Sequence, residues 1–309
     1  MTRASLPASE TVLRVKDLTK TFGRRTVVDG VSFDVRRGEM FGFLGPNGSG
    51  KTTTIRMALG IIRPDAGSIG ILGSPPERSV LRAVGYLPEE RGLPRKLRVL
   101  DALRYLGRLK GLTVAEAEDR AIALLQQLDL DEHYKKRVEA LSRGMTQLVQ
   151  FAAAIIHAPE FIVLDEPFAG LDPLNVERMK EMLFERQRTG ATIMFSTHIM
   201  SDVEELCDRV ALIADGHLLL FGDLAEIKRQ RGANAVLVQA PRVPEALTAG
   251  RPAVARSGVV EHVLEGGSTP EAVLRAYLDA GISVERFELA LPTLNDIFIE
   301  EVSRARSIS

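Results

Sequence analysis

The sequence predicts an α/β protein with a mainly parallel sheet at its core, followed by a small α+β domain. Three observations favour this fold class. Short apolar runs alternate with segments of helical periodicity, a glycine-rich loop joins one such run to a helix, and the alternation stops near residue 230. With 309 residues the chain is long enough for about two domains.

The first domain is predicted over residues 11–228, after a flexible polar arm at 1–10. "TVLRVKDL" and "TVVDGVSFDV" predict two strands, and the short apolar run "MFGFLG" predicts a buried one. "GKTTTIRMALG" has helical spacing and reaches Gly60, a residue suited to end a helix. Residues from about 92 to 158 predict a helical subdomain, because apolar residues recur there at three- and four-residue spacing.

Two further buried strands, "FIVLD" and "ATIMFSTH", flank the helix "LNVERMKEMLFERQR". A hairpin is predicted around Asp215-Gly216. Residues 229–309 then read as a strand–helix–strand unit closed by the helix "PTLNDIFIEEVSRARS". No catalytic constellation is visible in this second domain.

Composition limits the classes of function. Forty Lys and Arg residues against 41 Asp and Glu give a net charge of −1, which argues against a nucleic-acid partner. The single cysteine, Cys207, is expected to be a packing residue in a reducing compartment. Neither a signal peptide nor a run of the ~18–20 apolar residues that span a bilayer is visible, so we expect a cytoplasmic protein.

Residues 45–52, "GPNGSGKT", match the phosphate-loop pattern and lie between a predicted strand and a predicted helix. Gly45, Gly48 and Gly50 allow the backbone N–H groups to turn towards phosphate oxygens. Lys51 adds a positive charge for the β- and γ-phosphates, and the Thr52 hydroxyl can ligate Mg²⁺. The alternative is a glycine-rich turn that precedes a helix by chance.

"FIVLDEP" places Asp165 and Glu166 at the end of a buried strand, where a parallel sheet binds its ligands. In phosphate-loop proteins an Asp at this position holds Mg²⁺. The adjacent Glu166 could orient or deprotonate water as a general base. The alternative is a pair of carboxylates in a solvated turn before Pro167.

Five motifs stand in one order: "GPNGSGKTT", "LSRGM", "FIVLDEP", "AGLD" and "STH". This combination resembles the nucleotide-binding subunit of ABC transporters over about residues 12–225. "VGYLPEERGL" and "FAAAIIHAPEFIVLDEPFAGLDPLN" are similar to the NatA-like branch of bacterial exporters, as is the C-terminal "PTLNDIFIEEV". The resemblance implies an ABC ATPase cassette with a mixed sheet and a helical subdomain, and it implies ATP and Mg²⁺ as ligands.

The resemblance also implies roles for individual residues. Glu166 and His198 would be catalytic, with His198 sensing the γ-phosphate. Thr52, Glu89 and Asp165 would serve the metal. Asp172 would lie at a dimer seam, or cap a helix, or both. ATP would bind to Phe22, Gly45, Pro46, Asn47, Gly48, Ser49, Gly50, Lys51, Thr52 and Thr53, with Phe22 stacking on adenine unless it is a core residue.

Two departures from the family pattern concern the site. Glu89 stands where the family usually has Gln, and adds a negative charge near Asp165 and Glu166 that Mg²⁺ or a proton must compensate. "LSRGM" replaces the usual Leu-Ser-Gly-Gly-Gln. Its Ser142 and Gly144 keep the hydroxyl and the close-approach glycine, whereas Arg143 could contact a phosphate or face solvent.

We therefore expect an ATPase subunit that dimerises around two ATP molecules. Ser142, Arg143 and Gly144 of one copy would complete the ATP site of the other. The dimer would drive a separate membrane permease, which the basic stretch "RGLPRKLRV" could face, from the inner surface of the cell membrane. An importer ATPase or a soluble ABC-type ATPase acting on a macromolecule are the alternatives. A phosphate-loop GTPase is disfavoured because no Asn-Lys-x-Asp motif is present.

Overall fold

The computed structural model describes residues 11–90, 92–232, 235–248, 255–256, 259–264 and 268–308. The chain divides into two compact units between Asp223 and Leu224. The arm predicted at residues 1–10 lies outside the described residues. The domain boundary predicted between residues 228 and 229 lies inside a helix of the second unit, which starts at Leu224. That the two parts of the chain fold independently stays a prediction.

The first unit contains nine strands and seven α-helices in its described part. The strands are β1 (Thr11–Phe22), β2 (Arg25–Arg36), β3 (Met40–Leu44), β4 (Ala66–Ile71), β5 (Val84–Leu87), β6 (Phe161–Asp165), β7 (Thr192–Thr197), β8 (Arg209–Ala214) and β9 (His217–Asp223). The helices are α1 (Lys51–Ala58), α2 (Arg78–Leu81), α3 (Val99–Leu109), α4 (Val114–Gln127), α5 (Arg143–Ile155), α6 (Pro173–Arg188) and α7 (Met200–Leu206).

Six strands form the central sheet in the order β5-β6-β7-β3-β8-β9. All neighbouring pairs are parallel except β8 and β9, which form the predicted hairpin. Every residue of β3, β6, β7 and β8 is buried, as expected for strands covered on both faces. The carboxyl ends of β3, β6 and β7 lie at one edge of this sheet, so the loops that follow them meet there.

A second, antiparallel sheet has the order β2-β1-β4. Its apolar residues pack with those of α1 and of the central sheet in one core, which includes Leu13, Val31, Phe41 and Ile55. The first unit is therefore an α/β fold with a mixed set of strands, which confirms the predicted fold class.

The stretch predicted to be helical contains α3, α4 and α5, which pack on one another. The start of α4 is fixed by a capping box. The Thr113 hydroxyl accepts from Glu116 N–H, and the Glu116 carboxylate accepts from Thr113 N–H. No helix among the described residues combines the length and the apolar character needed to cross a membrane.

The described part of the second unit begins with α8 (Leu224–Gln230). Its other elements are β10 (Ala235–Gln239), α9 (Glu245–Thr248), β11 (Ala255–Arg256), β12 (Val259–Val263), α10 (Pro270–Asp279), β13 (Arg286–Leu289) and α11 (Leu294–Ile308). The four strands form an antiparallel sheet in the order β11-β12-β10-β13. Val236, Val238, Val273, Tyr277 and Ile282 form its core. This α+β arrangement and the closing helix confirm the prediction from the sequence.

Candidate functional site

The loop between β3 and α1 has the geometry predicted for a phosphate loop. Gly48 and Gly50 have φ values of +79° and +108°, in the left-handed region that favours glycine. A Cβ atom on Gly45 would lie 2.2 Å from the carbonyl oxygen of Ile213, and one on Gly50 would lie 2.6 Å from that of Val27. These three glycines are therefore required by conformation or by close packing.

Lys51 begins α1 and is buried. Its Nζ donates to the carbonyl oxygens of Gly45 and Pro46 at 2.7 and 3.2 Å, so the ammonium lies inside the loop. The same Nζ is 3.4 Å from Glu166 Oε1. The loop and the carboxylate after β6 are thus brought into direct electrostatic contact.

A cavity of about 330 Å³ lies beside the loop. Its lining consists of Val27, Asn47, Gly48, Gly50, Lys51, Thr52, Thr53, Glu89 and Glu166. Phe22 lies at the end of β1 and is 49% exposed, so it is not a core residue. Ser49 is buried and its hydroxyl has no hydrogen-bond partner among the described residues.

Asp165, the last residue of β6, is completely buried. Its Oδ1 accepts a hydrogen bond from Ser196 Oγ at 2.5 Å, whereas Oδ2 has no hydrogen-bond partner in the described part of the chain. Burial raises the pKa of Asp165; the hydrogen bond from Ser196 and the nearby Thr52 hydroxyl oppose this shift, and the charges of Glu89 and Glu166 add to it.

Thr52 links the loop to these carboxylates, because its hydroxyl donates to Glu89 Oε2 at 3.4 Å. Hydroxyl and carboxylate oxygens are the donors that Mg²⁺ prefers, and the unpartnered Oδ2 of Asp165 is a free acceptor. The residues present therefore fit Mg²⁺. No three Asp, Glu, His or Cys side chains of the described ranges form a complete metal site, so a cation here would need further oxygen ligands.

Glu166 has a φ of +49°, which is uncommon for a residue other than glycine and costs about 1 kcal/mol or more. The conformation is held by its N–H, which donates to Ser196 Oγ and to the Ser196 carbonyl, each at 3.2 Å. Its side chain is buried, and Oε2 lies 3.0 Å from Nδ1 of the half-exposed His198. The structure thus places Glu166 between Lys51 and His198.

The segment "LSRGM" starts α5. Ser142 is the N-cap, and its hydroxyl accepts from Met145 N–H at 3.2 Å, which confirms the helix start. A Cβ on Gly144 would lie 3.4 Å from the carbonyl oxygen of Gly170, so the segment packs on "AGLD". None of Ser142, Arg143 and Gly144 lines the cavity of the phosphate loop.

Arg143 lies along Gly170 and lines a second cavity of about 500 Å³. Glu89 and Glu90 line the same cavity, so the two departures from the family pattern, Glu89 and Arg143, border one space. Asp172 caps α6 by accepting from Asn175 N–H at 3.0 Å, and this bond lowers the pKa of Asp172. The capping alternative for Asp172 is confirmed.

Reasoning from the sequence missed two residues that shape the site. Ser196 hydrogen-bonds Asp165 and Glu166 from the neighbouring strand, and Gln147 Nε2 donates to the carbonyl of Pro167 at 3.0 Å. The sequence offered one indication of the role of Ser196, which is its position next to Thr197 and His198 in "FSTH". Its pairing opposite Asp165 depends on the register of β6 and β7.

Residues 28–169 match the family model described as ABC transporter, and residues 222–302 match that of the C-terminal domain of DrrA1-3-like ATP-binding proteins. An uncharacterized ABC transporter ATP-binding protein of Bacillus subtilis, YhaQ, is 39% identical over 94% of this chain and 98% of its own length. The Nod factor export ATP-binding protein I of Ralstonia nicotianae is 38% identical over 76% and 75%. A solved ATP-binding subunit of an ABC transporter superposes with a TM-score of 0.67 at 35% identity, covering 71% of this chain and 93% of the other.

Proposed function

The chain belongs to the family of ABC transporter ATP-binding proteins, and from that premise we propose that two copies form an ATP-dependent dimer that drives export through a separate membrane permease. As a member of this family, the chain binds and hydrolyses ATP and works with membrane components in transport. Export is supported by the relative that is named as a Nod factor export ATP-binding protein.

The observation that carries the dimer is the separation of two phosphate-binding elements within one chain. The phosphate loop lines its own cavity, whereas the start of α5 lies outside it. The N-terminus of α5 nevertheless has the features of an anion site, with free N–H groups, a hydroxyl and a glycine. We assign Ser142, Arg143 and Gly144 to the ATP of the second copy, with Asp172 at the seam.

Within one copy, the loop from Gly45 to Thr53 would hold the phosphates, and the exposed ring of Phe22 would stack on adenine. Thr52, Glu89 and Asp165 would hold Mg²⁺, with ATP oxygens completing its coordination. Bound there, Mg²⁺ would neutralise charge on the β- and γ-phosphates.

Glu166 would accept a proton from the attacking water, because it is a buried carboxylate beside the phosphate loop. Two contacts prepare it for this role. Lys51 balances its charge on one side, and His198 holds Oε2 on the other. A γ-phosphate would draw the Lys51 ammonium to itself and leave Oε1 free to accept a proton.

A groove of about 550 Å³ on the first unit is the candidate docking place for the permease, consistent with a position at the inner face of the cell membrane. Its walls are mostly apolar, with Leu81, Tyr86 and Leu106 among them. Its charged residues, Arg78, Arg82 and Lys110, are all basic. We therefore propose that this groove binds a helical segment of the permease, and that the segment carries apolar residues and at least one carboxylate.

The groove proposal is tested by Leu109→Glu, which places a negative charge in its wall. The variant should be lost from membranes of the source cells while its ATPase activity in isolation is unchanged. Unaltered recovery with the membranes would contradict the assignment.

The shared ATP site is tested by Ser142→Arg in a Glu166→Gln background, with ATP-dependent dimerisation followed by light scattering. The bulky side chain should prevent dimers and leave ATP binding to the monomer intact. Thr113→Arg is the matched control, since Thr113 caps α4 in the same way but lies outside the proposed interface. Dimers that persist in Ser142→Arg would show that the segment does not complete a second site.

A further inference from the structure

Two helices of the first unit begin directly after segments of the site. Helix α6 starts at Pro173, after the segment that follows Glu166, and α7 starts at Met200, two residues after His198. The relative position of Glu166 and His198 therefore depends on how these helices are held together.

Lys180 joins the two helices. It lies on α6, its side chain is 7% exposed, and its Nζ is 2.7 Å from Glu205 Oε2 and 3.5 Å from Asp202 Oδ1, both on α7. A third contact, to Glu177 on its own helix, is 3.3 Å long. Each of the three ammonium hydrogens thus has a carboxylate to face.

Lys180 also contacts the segment after Glu166. Its Nζ is 5.9 Å from the centroid of the Phe168 ring, within the range of a cation–π interaction. Phe168 in turn packs edge-to-face on Phe195 of β7, with centroids 5.9 Å apart. Phe195 directly precedes Ser196, which holds both Asp165 and Glu166.

From these contacts we infer that Lys180 is a positioning residue, which fixes the distance between Glu166 and His198 by tying α6, α7 and Phe168 to one buried charge. The inference rests on the proposed catalytic roles of Glu166 and His198. Lys180 touches neither the phosphate loop nor its cavity, so its effect passes through the packing of the two segments.

The charge of Lys180 stabilises the contact between α6 and α7. Asp202 is buried in the first turn of α7, and burial raises its pKa, with the Lys180 charge opposing this. Removing the ammonium leaves this buried carboxylate unpaired, and α7 must shift to bring Asp202 to water or the carboxylate must take up a proton. A displacement of about 1 Å in a catalytic group can lower a rate by roughly 10²-fold.

The test compares Lys180→Met, which keeps the buried stem, with Lys180→Arg, which keeps the charge, in the full chain. We expect kcat for ATP hydrolysis to fall about 10- to 100-fold in Lys180→Met while KM and the affinity for a fluorescent ATP analogue stay unchanged. Lys180→Arg should recover most of the lost kcat. Arg188→Met, a charge loss at the exposed end of the same helix, is the matched control and should keep full turnover.

A second variant keeps the inference testable if Lys180→Met does not fold. Lys180→Met with Asp202→Asn removes both the ammonium and the buried charge, so folding should recover while kcat stays low. Full turnover in that variant, loss of ATP affinity together with kcat, or no recovery in Lys180→Arg would overturn the positioning role. Glu166→Gln is measured in parallel: if it retains turnover, the proposed catalytic role of Glu166 fails instead.

Discussion

His157 provides a pH-dependent test of the packing around α5. It follows the last turn of this helix, and its Nε2 lies 3.3 Å from the carbonyl oxygen of Val84. Its Nδ1 is buried without a hydrogen-bond partner among the described residues. Burial lowers the pKa of His157 from 6.5 to about 4; the nearby Lys110 charge adds to the shift, and the Val84 carbonyl opposes it.

The sign and size of the effect follow from this pKa. Because the folded-state pKa lies below the unfolded value of 6.5, the contribution of neutral His157 is complete above pH 6.5 and is lost as the pH falls towards 4. The difference of about 2.5 units corresponds to about 3 kcal/mol at most, at 1.36 kcal/mol per unit. Lowering the pH should therefore reduce the free energy of unfolding of the natural chain more than that of a His157→Gln variant.

Two measurements check this prediction. In an NMR titration of the five histidine rings, the signal absent from His157→Gln should have a midpoint near pH 4. In urea denaturation followed by circular dichroism, the stability advantage of the natural chain over His157→Gln should shrink by about 2.5 kcal/mol between pH 7.5 and 4.5, where most of the effect is reached. A midpoint near 6.5, or an advantage that does not change with pH, would refute the desolvation argument.

Two further predictions concern the phosphate loop and the metal ligands. Gly45→Ala should abolish ATP binding and destabilise the first unit by roughly 1–3 kcal/mol, because the added Cβ meets the Ile213 carbonyl at 2.2 Å; tight ATP binding by a stable variant would contradict this. Glu89→Gln should raise the Mg²⁺ concentration for half-maximal hydrolysis about fivefold, because about 1 kcal/mol of charge attraction is lost. Glu90→Gln, which removes a carboxylate outside the phosphate-loop cavity, is its control, and equal shifts in both variants would argue against a ligand role for Glu89.

The parts of the site that were predictable from the sequence are those whose chemistry lies in consecutive residues. The loop glycines with Lys51, the carboxylates at the end of β6 and the cap at Ser142 each depend on a short segment whose strand or helix context is visible in the sequence. The same holds for the alternation that predicts the parallel sheet.

The missed features depend on contacts between distant residues. The hydrogen bond from Ser196 to Asp165 is set by the register of two strands, and the direction of Arg143 is set by the packing of α5 on Gly170. Lys180 reads in the sequence as an ordinary helical lysine, and only the approach of α7 buries it beside Asp202. Contacts of this kind leave no pattern in the local sequence.

Glu166→Gln tests the central claim most directly, because it removes the proposed proton acceptor without changing the size of the side chain. With ATP and Mg²⁺ present, the purified variant should bind nucleotide and lose turnover by about 10²–10⁴-fold. Light scattering should then show a species of twice the 33.8 kDa chain mass, which disappears without ATP. Undiminished turnover, or a monomer at saturating ATP, would contradict the account.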